Sequence, residues 1–507
     1  MLTGKPQSEP GEGAYPIGTH IVTVSYDRHC ARSDKDNRNN RFGDPRAPRE
    51  FRGQILELPN CFETHLPAGG PGPRAGDRRG RITGMSKRTG FILFFLLTAA
   101  FLVLNRAAYR GYFQDDEIGS LAWTRWGATS AYLQGTLTPL YANSFRAVGF
   151  YYFHVSEHAF GLDFPKYVAV IHAFHLLTVF LLWLVMRRLG APLVAAGAGC
   201  VFFALHAALF DAVWKPMYVF DLLCGTLCLA SLLLWARGNW ILSLLSFWLA
   251  YKAKELAVML PLVLVCYELW FGSRRWMRLA PFLAVSLSFA VQALLIHPLQ
   301  GGDYSFHFTA AAFAMTAPFY AGEVFLTPYL GFLLPLSALA AKNRRTWFGL
   351  AMMGLFFFPL LWLPGRIFSA YCYLPFTGFA IAMAGVAETV RPAAIAVFFL
   401  FWLPLDIHWL NLQRDVTLRQ DGDAREWITT LGKFAQTGPP AGGFVYSGLP
   451  EGFHTWGMEG AVKYFYRILD VTIPVIDSPE AGQRLRSGRV AILNWDAAGH
   501  RLEIRTP

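Results

Sequence analysis

The sequence predicts an all-α polytopic membrane protein with about eleven transmembrane helices and a small α/β domain at its C-terminal end. Of the 507 residues, 54% are hydrophobic and only 16% are charged. From about residue 90 to 410, apolar blocks of roughly 17 to 22 residues alternate with short polar breaks, and this is the length that a helix needs to cross a bilayer. Basic residues gather at alternate ends of these blocks. Lipid is therefore the expected solvent for most of the chain.

Eleven apolar blocks are interpreted as spans. They cover approximately residues 90–106, 167–186, 191–209, 217–235, 239–252, 256–271, 279–296, 318–339, 346–363, 367–388 and 393–410. The fifth block is short and runs into Lys252, Lys254 and Glu255. Charged residues at the end of a short block predict a tilted helix, or one partly buried in the bundle.

The basic residues also predict the orientation. Six groups lie on one side of the predicted spans: Lys87 and Arg88; Arg187 and Arg188; Arg237; Arg274, Arg275 and Arg278; Lys342, Arg344 and Arg345; and Arg391. By the positive-inside rule this side is cytoplasmic. The formal charge of +11 therefore reflects membrane orientation and does not indicate a nucleic-acid groove. We expect a multi-pass protein of the cytoplasmic (inner) membrane, and the odd number of spans predicts that its C-terminal domain is extracytoplasmic.

The chain is expected to divide into three regions: residues 1–84, a disordered or mis-annotated N-terminal extension; residues 85–410, a transmembrane domain with a first outer loop at 107–166; and residues 411–507, a small extracytoplasmic domain. The first region is rich in Arg, Pro, Gly and Asp and lacks the apolar residues that offset ordering entropy. In the last region, strands are predicted in GGFVYSG, VTIPVI and RVAILNW, around a helix near 460–468.

An acidic cluster directly follows the first predicted span. Asp115, Asp116 and Glu117 are consecutive, and adjacent carboxylates repel, so a partly buried member is expected to have a raised pKa. Such a carboxylate suits a general base. The alternative interpretation is a solvated loop that follows the topology.

A second group of ionisable residues surrounds the predicted hairpin between the third and fourth spans. It contains His206, Asp211, Lys215 and Asp221. Ionisable residues within a membrane are costly unless they are paired or face a polar cavity. Asp221 is therefore expected to face the interior of the bundle, with an ion pair that only supports packing as the alternative.

Further cations lie on the predicted outer side, against the positive-inside rule. Lys252 and Lys254 precede the sixth span, beside Glu255, and Arg146 and Arg366 lie at other outer ends. Such cations can bind an anionic phosphate group. A Lys254–Glu255 pair that ties helices together, and lipid head-group contact by the arginines, are the alternatives.

Four segments in chain order then show a family resemblance. They contain Asp115 and Asp116; Gly161, Leu162, Tyr167 and His175 leading to His206, Asp211 and Asp221; Lys254, Glu255, Val258, Leu260, Pro261, Tyr267 and Glu268; and Tyr371, Tyr373, Leu374, Pro375, Gly378 and Phe379. Together they resemble motifs of the GT-C type glycosyltransferases, closest to the transmembrane O-mannosyltransferases that usually carry tetratricopeptide repeats. The resemblance covers about residues 85 to 390, and the tail contains no such repeats.

The sequence departs from the family pattern at three points. Phe145-Arg146-Ala147-Val148 stands where the family has a Tyr-Arg-Pro-Leu type motif. Val219-Phe220 replaces the usual Gly-Arg, and Ser369-Ala370 replaces a Glu-Arg, with Arg366 as a possible substitute.

The resemblance implies a GT-C-like fold and transfer of a sugar from a polyprenyl-phosphate donor to a protein or lipid hydroxyl on the outer face. It implies Asp115 or Asp116 as catalytic base, with donor phosphate contacts from Arg146, His206, Lys254 and Arg366, and support from Asp211, Lys215, Asp221, Glu255 and Tyr371. No cofactor is certain from the sequence; a divalent metal stays open, although no spacing indicates a metal ligand set. A transporter or lipid flippase, and a non-catalytic protein of the same fold, remain the alternatives.

Overall fold

A computed structural model describes residues 87–139, 146–292, 303–468 and 470–506. The predicted N-terminal extension and the start at Met85 lie outside these residues. The first helices are α1 Lys87–Leu104, α2 Asp115–Arg125, α3 Thr129–Leu137, α4 Ala147–Phe160, α5 Phe164–Arg188, α6 Leu193–Leu205, α7 Phe210–Trp214, α8 Val219–Ala236 and α9 Trp240–Ala253. They continue with α10 Leu260–Trp270, α11 Ala280–Val291, α12 Ala310–Phe325, α13 Leu334–Ala341, α14 Arg344–Phe357, α15 Tyr373–Thr389, α16 Pro392–Ala435, α17 Thr455–Tyr466 and α18 Pro479–Ser487.

The described part of the chain is mostly helical, and several of its helices are built to cross a membrane. Five of them are long and apolar enough to span a bilayer, or seven if each of two bent helix pairs forms one span. Three shorter apolar helices accompany them. The helix α10 has 11 residues, about 16 Å at 1.5 Å per residue, which is short of the roughly 30 Å hydrocarbon core. The protein is thus an integral membrane protein, and the count of eleven spans stays a prediction.

One predicted span, 318–339, is not a continuous helix. The helices α12 and α13 meet with a bend of 81°. Leu326 and Tyr329 adopt positive φ angles of 54° and 61°, and Pro328 lies between them with no N–H to continue a helix. The apolar run hides this break because hydropathy does not register backbone conformation.

The helices α8 and α15 form the centre of the bundle. In their span windows, 78% and 83% of the residues are buried inside the protein, compared with 17% for the span in α16. The helix α16 is therefore peripheral in its apolar half. It is 44 residues long and continues about 25 residues past the predicted membrane end at residue 410, at 1.5 Å per residue roughly 37 Å.

A three-stranded sheet lies beyond α16, in a part of the chain that we call the C-terminal segment (residues 436–506). Its strands are β1 Phe444–Ser447, β2 Ala491–Asp496 and β3 Arg501–Arg505. β1 pairs in parallel with β2, which pairs antiparallel with β3. The strands β1 and β2 fall on two predicted strands, whereas VTIPVI contributes only an isolated bridge through Val475 to Tyr446.

The helix α17 of the C-terminal segment packs closely against α2. A Cβ atom added at Gly460 would lie 2.9 Å from the Gly119 Cα, so only glycine permits this approach of the two backbones. Farther along α17, the Tyr464 hydroxyl donates to Glu157 Oε1 of α4 at 3.0 Å. The guanidinium of Arg125 lies 4.3 Å from the Tyr464 ring centroid. These contacts hold the C-terminal segment against α4 and against α2, the helix that carries the acidic cluster.

Candidate active site

The acidic cluster forms the first turn of α2. Asp115, Asp116 and Glu117 all lie in this turn, where the positive end of the helix dipole stabilises negative charge. Gln114 caps the helix, and its backbone N–H donates to Glu117 Oε2 at 2.8 Å in a capping box. This reciprocal capping explains why a run of repelling carboxylates begins a helix at this point.

Glu117 has a structural role that separates it from its two neighbours. Its side chain is buried, and its second oxygen accepts from the Met217 backbone N–H at 3.3 Å. Burial raises the pKa of Glu117 to about 8, against the opposing hydrogen bond from Gln114. We assign Glu117 to helix capping and not to the chemistry.

Asp115 is held by the C-terminal segment. Its Oδ1 atom accepts from the His454 backbone N–H at 2.8 Å, and its Oδ2 atom lies 2.5 Å from His454 Nδ1. The His454 ring stacks on Trp456 with centroids 4.3 Å apart and an interplanar angle of 10°. Both oxygens of Asp115 are therefore engaged.

Asp116 is the exposed carboxylate of the pair. The surrounding protein raises its pKa by desolvation, and the adjacent Asp115 raises it further. Arg366, His454 and the Trp456 side chain act in the opposite direction. Asp116 is thus an accessible carboxylate with enhanced affinity for a proton, as a general base requires.

A cavity of about 290 Å³ opens beside the two aspartates. It is lined by Asp115, Asp116, Gly119, Ser120, Trp123, Phe150, Met217 and Trp456. The lining combines carboxylates with aromatic side chains, and it draws on α2, α4 and the C-terminal segment.

The contact between His454 and Asp115 leads to a prediction about pH. The pKa of His454 is raised chiefly by its hydrogen bond to Asp115, and also by the charges of Asp115 and Asp116, against burial. A raised histidine pKa stabilises the folded protein below the unfolded value of about 6.5, and this contribution is lost as pH rises through the folded value. We expect the melting temperature of the wild type, minus that of His454→Gln, to fall as pH rises from about 6 to 9.

The difference between the two proteins isolates the histidine. Glu117 and Asp421, with pKa values raised by burial to about 8 and about 7, titrate in the same range, but they do so in both proteins. A melting-temperature difference that does not change with pH would show that the ion pair does not form.

Two of the predicted phosphate-binding cations are paired with carboxylates. Lys254 Nζ lies 2.5 Å from Asp221 Oδ1, and both side chains are buried. Arg146 forms a two-point contact with Glu255, in which Nε donates to Oε2 at 2.9 Å and Nη2 donates to Oε1. The alternative pair of Lys254 with Glu255 does not form, because each residue pairs with a different partner.

Arg366 differs from Arg146 and Lys254. Its guanidinium stacks over the Tyr304 ring at 4.1 Å, and its buried Nε atom has no hydrogen-bond partner among the described residues. Across the same ranges, no carboxylate lies within salt-bridge distance of it. It is still near enough to Asp116 to act on that carboxylate.

Two tyrosines lie among these charged groups. Lys254 Nζ lies 4.1 Å from the ring centroid of Tyr371, whose hydroxyl is within electrostatic range of Arg146, Arg366 and Asp221. The Tyr218 hydroxyl is within electrostatic range of Asp116, Asp211 and Asp221. Sequence reasoning named Tyr371 but missed Tyr218, His454 and Trp456. The position of Tyr218 in the chain, between Lys215 and Asp221, could have identified it as a site residue. His454 and Trp456 lie in a segment with no recognisable motif, so no such signal exists for them.

The hairpin residues separate into two environments. Asp211 Oδ1 contacts Lys215 Nζ at 2.9 Å, and its Oδ2 accepts from the Ser369 hydroxyl at 3.4 Å, so both residues border the site. His206 is buried elsewhere, with Nε2 3.0 Å from the Val324 carbonyl oxygen and Nδ1 accepting from the Ala208 N–H at 3.2 Å. Both ring nitrogens are used by the backbone, and we therefore leave His206 out of the proposed chemistry.

No cluster of three or more His, Cys, Asp or Glu side chains suited to a metal ion occurs within the described ranges.

Comparison with known proteins finds a resemblance of fold only. No protein-family model and no curated protein matches the chain. Two similar solved structures are crystal structures of ArnT from Cupriavidus metallidurans, one bound to undecaprenyl phosphate and one in the apo state. Sequence identity is 13% in both cases, and the TM-score is 0.48. The matches cover 81% and 82% of this chain, and 90% and 94% of the ArnT chains. At this distance, function has to be inferred from the chain's own residues.

Proposed function

We propose that the protein transfers a sugar from a polyprenyl-phosphate-linked donor to an acceptor hydroxyl. The observation that carries this proposal is an exposed carboxylate that lines a cavity, Asp116, together with a cation that has no carboxylate partner among the described residues, Arg366, whose charge lowers the pKa of Asp116. A base and an anion site are the two groups that such a transfer requires. A motif that resembles the GT-C glycosyltransferases supplies Asp116, and Arg366 lies near the point where the family's Glu-Arg is replaced by Ser369-Ala370.

The proposed reaction uses Asp116 as the base. Asp116 takes the proton of the acceptor hydroxyl while the oxygen of that hydroxyl bonds to the anomeric carbon of the donor sugar. The bond from that carbon to the phosphate oxygen breaks, and the polyprenyl phosphate leaves with the electron pair. Negative charge therefore grows on the phosphate, where Arg366 stabilises it electrostatically.

The charge balance of the cation cluster supports a donor with a single phosphate. Lys254 is neutralised by Asp221, and Arg146 by Glu255, so these cations keep the cluster ordered without adding net charge. Among these three cations, Arg366 is the one without a carboxylate partner in the described ranges. Lys252 also lacks such a partner there, but its ammonium packs against the rings of Trp248 and Tyr251. One positive charge matches a phosphodiester, which carries one negative charge.

The finer details of the proposal follow from the sequence. The positive-inside rule puts this face of an inner-membrane protein outside the cytoplasm. Resemblance to the O-mannosyltransferase branch makes mannose the first donor sugar to test. A protein or a lipid can supply the acceptor hydroxyl in this scheme.

Substitution of Arg366 tests the donor site directly. We expect Arg366→Gln to raise the dissociation constant of undecaprenyl phosphate about 10- to 100-fold, because charge-assisted hydrogen bonds contribute about 1.5–3 kcal/mol. Calorimetric titration of the full chain in detergent measures this. Arg414→Gln is the matched control, because Arg414 pairs with the exposed Asp415. Equal affinity of Arg366→Gln and the wild type would refute the proposed phosphate contact.

A lipid flippase is the second candidate, and the broken helix at α12 and α13 favours it, since transporters use interrupted helices. The two candidates differ in their product. Purified protein in vesicles would move the lipid-linked sugar between leaflets without cleaving it if it were a flippase, and would release polyprenyl phosphate if it were a transferase.

A further inference from the structure

We infer that the cavity beside Asp116 binds a pyranose ring of the acceptor, so that the acceptor is a saccharide or glycolipid and the C-terminal segment contributes to its recognition. This inference rests on the proposed function and extends it to the second substrate. It is carried by the two tryptophans of the cavity, Trp123 of α2 and Trp456 of α17.

Both indoles are exposed to an extent that burial in a core does not explain. Trp123 is 47% exposed and Trp456 is 49% exposed, and together with two carboxylates both line the same open cavity. Large aromatic side chains ordinarily contribute their area to cores and interfaces. Their exposed area here is available to a ligand.

Neighbouring rings hold each indole in position. Trp123 packs edge-on against Phe150 with ring centroids 4.5 Å apart, and Trp456 lies in parallel on His454. His454 is itself fixed by two contacts to Asp115. Rigid aromatic surfaces reduce the entropy lost on binding.

The chemistry of the lining matches a sugar ring. A pyranose has an apolar face of C–H groups that packs on an aromatic ring, and hydroxyl groups that donate to carboxylates such as Asp115 and Asp116. The volume of about 290 Å³ is at the lower end of the roughly 300–1,000 Å³ typical of small-molecule sites. The cavity therefore suits a single ring.

A polypeptide acceptor fits the lining less well. Extended peptides commonly bind by adding a strand to a sheet edge, but none of the lining residues belongs to β1, β2 or β3. The donor's own sugar is also less suitable, because Arg146, Lys254 and Arg366 are absent from the lining. Asp116, the carboxylate that contacts the acceptor in the proposed reaction, lines this cavity.

Binding of methyl pyranosides to the purified full chain tests the inference. Saturation-transfer NMR would compare gluco, manno and galacto pyranosides with an acetylated hexapeptide that contains Ser and Thr. We expect at least one pyranoside to bind, with its dissociation constant raised about five- to tenfold in Trp456→Ala and in Trp123→Ala, and raised less in Trp456→Phe. Trp347→Ala is the control, since Trp347 is 39% exposed on α14, outside the cavity. Melting temperatures check that each variant is folded.

The remaining outcomes separate this inference from the proposed function. Binding of the peptide but not of pyranosides, or binding of neither, overturns the inference. A loss of affinity for the sugar-bearing donor in Trp456→Ala, with undecaprenyl phosphate affinity unchanged, would assign the cavity to the donor sugar and also overturn it. If undecaprenyl phosphate binds in an Arg366-dependent manner while pyranosides do not bind, the donor proposal stands alone. Pyranoside binding without undecaprenyl phosphate binding refutes the donor site and leaves the saccharide site.

Discussion

Replacing Asp116 with Asn is expected to reduce the rate of sugar transfer by about 10²- to 10⁴-fold, the usual contribution of a general base. The amide keeps the size of the side chain but cannot accept the proton of the acceptor hydroxyl. Transfer of labelled sugar from a polyprenyl-phosphate donor to a saccharide acceptor measures the effect. Donor affinity should change little, because removal of the carboxylate does not remove Arg366.

Two further substitutions make the Asp116 experiment specific. Asp115→Asn should have a smaller effect, because Asp115 is engaged by His454 through both of its oxygens. Asp415→Asn is the control, because its side chain is 70% exposed and pairs only with Arg414 in the described ranges. If Asp116→Asn and Asp115→Asn both transferred sugar at the wild-type rate, the assignment of the base to this cluster would be wrong.

Replacing Lys254 with Met is expected to destabilise the folded protein by about 3–5 kcal/mol, as is typical when one partner of a buried ion pair is removed. The substitution leaves the Asp221 carboxylate buried without its cation. In the folded protein both side chains are less than a tenth exposed, so water cannot replace the lost charge. The free energy of unfolding, from denaturant titration in detergent micelles, measures this cost.

A double variant and a surface pair serve as controls for the Lys254 experiment. Asp221→Leu combined with Lys254→Met removes both charges and should recover most of the lost stability, since apolar replacement of a buried pair is often neutral. Lys215→Met breaks the more exposed pair with Asp211 and should cost about 0–1 kcal/mol. A cost for Lys254→Met no larger than that for Lys215→Met would show that the Asp221 pair is not a buried one in solution.

Much of the architecture is encoded locally and can be predicted from the sequence. Apolar blocks and the positions of basic residues predict a helical membrane protein, because the cost of exposing polar groups to lipid acts on each segment separately. The same local argument identified Asp115, Asp116, Lys254 and Arg366 as candidate site residues, because ionisable side chains beside apolar blocks are energetically costly unless they have a functional or structural role. Hydropathy failed to predict the bend between α12 and α13, because backbone dihedral angles determine where a helix breaks.

The sequence by itself therefore determined the membrane class and the pool of ionisable residues from which a site can be drawn. The tertiary structure decided which of them remain available. Lys254 pairs with Asp221, Arg146 pairs with Glu255, and Arg366 pairs with no described carboxylate. Both ring nitrogens of His206 are occupied by backbone hydrogen bonds. It also brought His454 to Asp115 across more than 300 residues. Pairing and desolvation depend on which side chains meet in space, and that is settled only when distant segments pack together.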